Sequence, residues 1–260
     1  MGLTLGLAAC GGWRPGAGRK AGPNPAVHHR SRTFESPRFP HHVTLKVRED
    51  VPSLRSVRLV RELERGLRAV GARGRFRVVH YSIQTDHVHL IVEASSSEDL
   101  GRGMKAVGAR LARGVNRVFA RRGPVPRDRY HARTLRTPRE VRNAISYVLL
   151  NARRHLAKRA GSIPRVARID PASSGRWFDG WRGGWRPAAD APAVARPRTW
   201  LLGKGWRKAG LVDPSEVPGC AIPGDWNSRE RGKPLLLPNR PFLLCPAASH
   251  SARAPSMASG

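Results

Sequence analysis

His87 and His89 stand two residues apart inside the run Asp86-His87-Val88-His89-Leu90-Ile91-Val92. In a strand, successive side chains point to opposite faces. His87, His89 and Ile91 therefore share one face, while Val88, Leu90 and Val92 share the other and can be buried. Two imidazoles held at a separation set by the backbone can ligate a metal ion. A packed or solvated histidine pair is the simpler alternative.

A second group belongs beside this pair. The chain has three tyrosines. Tyr81 falls in a predicted strand and Tyr130 precedes a strand-like segment. Tyr147 alone falls on a predicted helix, Arg139 to Lys158, whose apolar face is Val141, Ile145, Val148, Leu149, Ala152 and Leu156. At 100° per residue Tyr147 lies away from that face. Asn143, Asn151, Arg154 and Lys158 sit near it, and Asn151 is four residues on, so the two side chains are neighbours. A phenol beside an amide and two cations is either surface decoration or a nucleophile suited to a phosphodiester. In the second case the cations offset developing negative charge, and a metal ion could polarise the phosphate.

The elements that must position these groups follow from hydrophobic period. His42 to Val47 alternates, with Val43, Leu45 and Val47 apolar, as a strand does. Ser53 is a candidate cap for a helix carrying Leu54, Val57, Leu59, Val60, Leu63, Leu67 and Val70, which Gly71 ends. Phe76 to Ile83 reads as a strand, Gln84-Thr85-Asp86 as a tight turn, and His87 to Glu93 as the return strand of a hairpin. Ser95-Ser96-Ser97-Glu98 signals a second helix, about Glu98 to Ala120, with Met104, Val107, Leu111, Val115 and Val118 as its buried stripe. Arg110, Arg113, Arg117 and Arg121 form a separate stripe with no acidic residue between them, either a solvated face or a track for phosphates. Tyr130 to Leu135 is strand-like, and Thr137-Pro138 opens the third helix.

The order β-α-β-β-α-β matches an α+β, ferredoxin-like core: a four-stranded antiparallel sheet, two helices on one face, and an extra C-terminal helix. The other face, where His87 and His89 point, is expected to stay open for chemistry.

Composition narrows the partner. Forty-eight Lys and Arg against 18 Asp and Glu give a net charge of +30. Such an excess repels itself unless a polyanion is near, and nucleic acid supplies one through phosphate contacts and counterion release. Cys10, Cys220 and Cys245 form no CxxC pair, which argues against a zinc ribbon and suits a reducing cytosol. No apolar run approaches the roughly 20 residues of a membrane-spanning helix. Leu7-Ala8-Ala9-Cys10 resembles a lipoprotein cleavage box but lacks a preceding positive residue and a long apolar stretch. Residues 1–40 read as a basic disordered arm and 41–160 as the domain that carries the histidine pair and Tyr147. Residues 161–260 read as a tail rich in Trp, Pro, Gly and Arg, partly ordered to about 227 and disordered beyond. Within it Trp177, Trp181 and Trp185 either stack on unpaired bases or anchor the tail to the core.

A strand reading His-hydrophobic-His followed by a helix with one tyrosine resembles the single-tyrosine HUH transposases, and closer still the REP-associated tyrosine transposases of bacteria. The matching segments are Ser82 to Val92, Arg129-Tyr130-His131-Ala132-Arg133, and Tyr147-Val148-Leu149-Leu150-Asn151, within about residues 40–160. The resemblance implies a mobile-element enzyme that nicks and rejoins single-stranded DNA near an imperfect hairpin. Tyr147 would attack the scissile phosphate, forming a 5′-phosphotyrosine and releasing a 3′-hydroxyl. His87 and His89 would hold Mg²⁺ or Mn²⁺, with Asn151 in the place where some relatives carry a third ligand. Asp86 is either a turn residue or a partner of the histidine pair. Arg110, Arg113, Arg117, Arg121, Arg154 and Lys158 would contact DNA, while His131 and His155 are read as surface or DNA-facing groups. The expected setting is the bacterial cytoplasm, at the nucleoid. Some relatives act as homodimers and others as monomers. The competing reading is a domesticated relative that binds hairpins or regulates expression without cutting. A two-histidine phosphoesterase needs two separate His-x-Thr/Ser motifs, and His87-Val88-His89 is not one.

Overall fold

The computed structural model describes residues 34–71, 74–162 and 166–219. Cys10, Cys220, Cys245 and the stretches expected to be disordered before residue 34 and from 228 on lie outside the described residues. The elements run β1 (His41–Lys46), α1 (Val57–Gly71), β2 (Phe76–Ile83), β3 (His87–Ala94), α2 (Ser97–Val118), β4 (His131–Thr134), α3 (Pro138–Leu149) and α4 (Asn151–Ala160). All strand pairs are antiparallel, in the order β2-β3-β1-β4. This is the βαββαβ arrangement that the periodicity predicts.

Alternation along β1 and β3 divides the side chains between two cores. Val43, Leu45, Val88, Leu90 and Val92 meet Leu59, Leu63 and Leu67 of α1 and Met104, Val107, Leu111 and Val115 of α2. On the reverse face, Ile91 and Val79 meet Val141, Ile145, Val148 and Leu149 of α3. The same core takes in Phe178, Trp181, Leu201, Leu202, Trp206 and Val212. The face expected to stay open is therefore largely covered, because α3 and the segment after residue 166 bury their own apolar stripes there. Residues 166–218 share one compact unit with the sheet.

Glu93, on the same face as His87 and His89, pins this covering segment. Its carboxylate accepts from the backbone N–H groups of Arg198 and Thr199 (2.8 and 2.9 Å) and from the Thr199 hydroxyl (2.8 Å). Thr199 in turn caps a short helix, α5 (Trp200–Gly203), by accepting from Leu202 N–H. Trp181 and Trp206 are buried, whereas Trp185 and Trp200 are exposed.

Several local expectations shift. Helix α1 begins at Val57, with the Ser56 hydroxyl accepting from Leu59 N–H, so Ser53 is not its cap. Leu54 instead sends its N–H to Thr85 O (2.9 Å) and is fully buried outside the helix, while Val57 lies exposed. The predicted third helix is two helices, bent at Leu150 (φ −105°, ψ 14°), and Leu156 is exposed rather than on a buried face. Of the expected 1–40 arm, the described end packs down. Phe34 stacks on His41 with ring centroids 5.5 Å apart, and Glu35 accepts from Arg136 Nε at 2.6 Å.

Candidate active site

Site geometry starts from the register of β1 against β3, which sets Thr44 opposite His89 and Lys46 opposite His87. The Nε2 atoms of His87 and His89 approach to 3.0 Å, with ring centroids 4.6 Å apart. Hydrogen bonds at the far sides of both rings fix them. Asp86 Oδ1 lies 2.7 Å from His87 Nδ1. A carboxylate only accepts, so Nδ1 carries a proton, and Nε2 is the nitrogen that the neutral ring leaves bare. Thr44 Oγ1 lies 3.1 Å from His89 Nδ1, and His42 Nε2 lies 3.3 Å from the same atom. Thr44 can accept or donate, so it accommodates either tautomer of His89.

Burial disfavours the charged forms of His89, His42 and His155. It holds the His89 pKa well below its ordinary value, reinforced by the neighbouring charges of His42, His87, His155 and Arg154. His42 is pushed down to about 4 by burial and then by Arg133. His155 is lowered by burial, then by His87, Arg154 and Arg159. Burial by itself would raise Asp86, but the His87 hydrogen bond and charge outweigh it and hold the carboxyl below its usual range. Neutral imidazoles with bare nitrogens are the form that binds metals.

Tyr147 lies over this cluster. Its ring meets His89 edge-on at 5.1 Å between centroids and His42 edge-on at 5.7 Å. The Arg154 guanidinium sits 5.3 Å from the centre of the Tyr147 ring and 3.4 Å from its hydroxyl. Asn151, one turn on, is fully buried, and neither of its amide atoms has a hydrogen-bond partner. One turn further, His155 packs against His87 with centroids 6.3 Å apart. Tyr147, Asn151 and His155 thus form one stripe across α3 and α4, running from the His89 side to the His87 side.

The donor set suits a divalent cation. Two nitrogen ligands at about 2.1 Å and at right angles are about 3.0 Å apart, as the two Nε2 atoms are. Among the described residues no three His, Cys, Asp or Glu side chains are grouped to hold a metal ion. A third protein donor would have to be of another type, and the unsatisfied Asn151 amide is one. An orphaned buried amide costs about 1–3 kcal/mol, so it calls for a partner.

The remaining predicted residues fall elsewhere. Arg110, Arg113 and Arg117 ride on α2, in the layer across the sheet from the histidines. Arg121 lies past the helix end. The row is not free of acids in space: Arg117 pairs with Glu62 and Arg121 with Asp50, at 2.8 and 2.7 Å. Arg154 and Lys158 lie on α4, and Arg154 reaches Tyr147. His42 and Thr44 were legible as neighbours of the pair, since the alternation that buries Val43 and Leu45 turns both toward the histidine face.

No family model matches the chain. No curated protein matches it either. Among solved structures, one of a REP-associated tyrosine transposase bound to a REP hairpin aligns over 49% of this chain and 74% of that one, at 13% sequence identity and a TM-score of 0.41.

Proposed function

We propose that this chain is a metal-dependent single-strand DNA nuclease and strand transferase of the REP-associated tyrosine transposase type, with Tyr147 as nucleophile. One observation carries the reading: the Tyr147 ring stands against His89, whose Nε2 faces the bare Nε2 of His87. A phenol, two convergent imidazoles and an orphaned amide are then gathered at one place on a strongly basic chain. That combination suits attack on a phosphodiester better than simple packing, which would leave the Asn151 amide unexplained.

His87, His89 and Asn151 would hold Mg²⁺ or Mn²⁺. The bound ion supplies charge neutralisation and orientation at the phosphate. The protein's own residues do the rest. Arg154, against the ring and hydroxyl of Tyr147, stabilises negative charge as the phenol loses its proton to solvent. The Tyr147 oxygen forms a bond to phosphorus while the bond from phosphorus to the 3′-oxygen breaks, and the departing oxygen takes a proton from solvent. A 5′-phosphotyrosine and a 3′-hydroxyl result, and the reverse displacement rejoins a strand. Asp86 fixes the His87 tautomer, and Thr44 with His42 orients His89. Arg154 and Lys158 contact the substrate backbone near the cut, with Arg110 and Arg113 available on the opposite layer. The substrate is single-stranded DNA flanking an imperfect hairpin, which places the protein with DNA in the bacterial cytoplasm.

The test is to incubate the full chain with labelled hairpin DNA carrying single-stranded flanks, with Mn²⁺. A covalent adduct is expected, and Tyr147→Phe should abolish it. Tight hairpin binding with no adduct from the wild-type chain would instead mark a non-cleaving hairpin-binding protein.

A further inference from the structure

A cavity of about 280 Å³ opens directly beside His87, between the β2–β3 turn and α4. Its volume is near the lower end of small-ligand clefts, ~300–1,000 Å³. Gln84, Thr85, Asp86 and His87 line one wall, and Ala152, His155, Leu156 and Arg159 line the other, with Arg55 at the edge.

The walls differ in what they can offer. Asp86 is engaged by His87 Nδ1, and Arg55 is held by both oxygens of Asp170 and by Ile83 O. Arg159 forms no ion pair among the described residues and is exposed at the rim. His155 and Leu156 present a ring and an apolar side chain. The Gln84 amide nitrogen already donates to Ser82 Oγ (2.6 Å), which leaves its carbonyl oxygen as an acceptor. A free cation, flat and apolar surfaces and an amide acceptor are the parts that recognise a nucleotide.

Position then fixes which nucleotide. His89 is buried, while His87 keeps 16% of its side chain exposed, so the imidazole pair is reached from the His87 side. Tyr147 contacts His89 and His42, whereas the cavity is lined by His87. In a phosphoryl displacement the attacking and leaving oxygens lie roughly in line on opposite sides of phosphorus. With the phosphorus near the two Nε2 atoms and the phenol on the His89 side, the leaving 3′-oxygen falls on the His87 side. We infer that this cavity is the subsite for the nucleoside whose 3′-oxygen departs, with Arg159 at its backbone phosphate and His155 and Leu156 against its base. The inference rests on the nuclease reading above.

Thymidine 3′-phosphate carries its phosphate where that nucleoside would, and thymidine 5′-phosphate does not. In the full chain with Mg²⁺, the 3′-phosphate should shift the His155 ring resonances and bind at least fivefold more tightly than the 5′-phosphate or inorganic phosphate. Arg159→Gln, on the exposed rim, should weaken thymidine 3′,5′-bisphosphate, which adds the 5′-phosphate that Arg159 would meet, about fivefold. Ala152→Leu, which fills the cavity, should do the same without touching any cation. Equal binding of the two thymidine phosphates, or no effect of either substitution, would overturn the subsite. The adduct assay separates the two claims. An adduct with no preference for the 3′-phosphate leaves the nuclease reading standing without this subsite. A preference for the 3′-phosphate with no adduct leaves a nucleotide pocket and removes its assignment to a leaving group.

Discussion

The ring of Tyr147 meets the imidazole of His89 edge-on, with centroids 5.1 Å apart. The two residues come from α3 and β3, and the sheet brings them together because α3 packs on the histidine face rather than on the layer of α1 and α2. The contact places the proposed nucleophile and a candidate metal ligand within one side-chain length. It also explains why that face is covered: Val141, Ile145, Val148 and Leu149 hold the helix that delivers the phenol.

The hydrogen bonds behind the imidazoles should tune metal affinity without adding a ligand. Asp86→Ala removes the acceptor that fixes His87, and Thr44→Val removes the hydroxyl at His89 Nδ1. Each should weaken Mn²⁺ binding by about 10–100-fold. Electron paramagnetic resonance of free Mn²⁺ during titration reads this directly. Unchanged affinity in both variants would remove the supporting role of these side chains.

His87→Ala should separate binding from chemistry. Backbone contacts by basic residues supply most nucleic-acid affinity, so gel-shift binding of the hairpin should hold within about threefold while adduct formation falls by at least ~100-fold. Arg154→Gln should act on both: a slower adduct, and a salt dependence of binding shallower by about one in slope.

Much of this arrangement was legible in the chain. Alternation from Val88 to Val92 put His87 and His89 on one face, and Phe76–Ile83 is the strand that its composition predicts. Local signals failed where long-range contacts decide. Leu54 fits a helical stripe, yet its N–H is taken by Thr85 O and the helix waits for Ser56. Nothing in Val148-Leu149-Leu150-Asn151 breaks a helix, so the bend at Leu150 was invisible to propensity. Acidic partners of Arg117 and Arg121 come from α1 and from the loop after β1, which no reading of α2 alone can supply. The glycines around Trp181 obscured a segment whose order comes from packing against α3, not from its own period.

Glu93 tests that covering segment. Three donors converge on its buried carboxylate, so Glu93→Gln turns an all-acceptor group into one that presents N–H to N–H. A loss of about 2–3 kcal/mol in urea unfolding is expected, with faster proteolysis near residues 196–200. A change under 0.5 kcal/mol would show that the segment is held by apolar packing alone.

Buried histidines predict an acid-labile fold. His80 is pushed down to about 4 by burial, and so is His42. Both are near 6.5 in the unfolded chain. Between these values the unfolded state binds more protons than the folded one, so stability is retained above about pH 6.5 and lost as pH falls toward 4. Each group contributes up to ~1.4 kcal/mol per pH unit in that window, on the order of 3 kcal/mol in all. His80→Gln, on the neighbouring strand and opposite Ile91, should flatten the slope by about 1.4 kcal/mol per pH unit, measured by urea midpoints from pH 4 to 7. An unchanged slope would mean that His80 titrates normally in the folded chain.

The most direct test of the central claim is the covalent product itself. Wild-type chain, labelled hairpin DNA and Mn²⁺ should give a protein–DNA adduct that peptide mass spectrometry maps to Tyr147 through a 5′-phosphate, and that Tyr147→Phe lacks. An adduct of equal yield in Tyr147→Phe, or one mapped to another residue, would contradict the account.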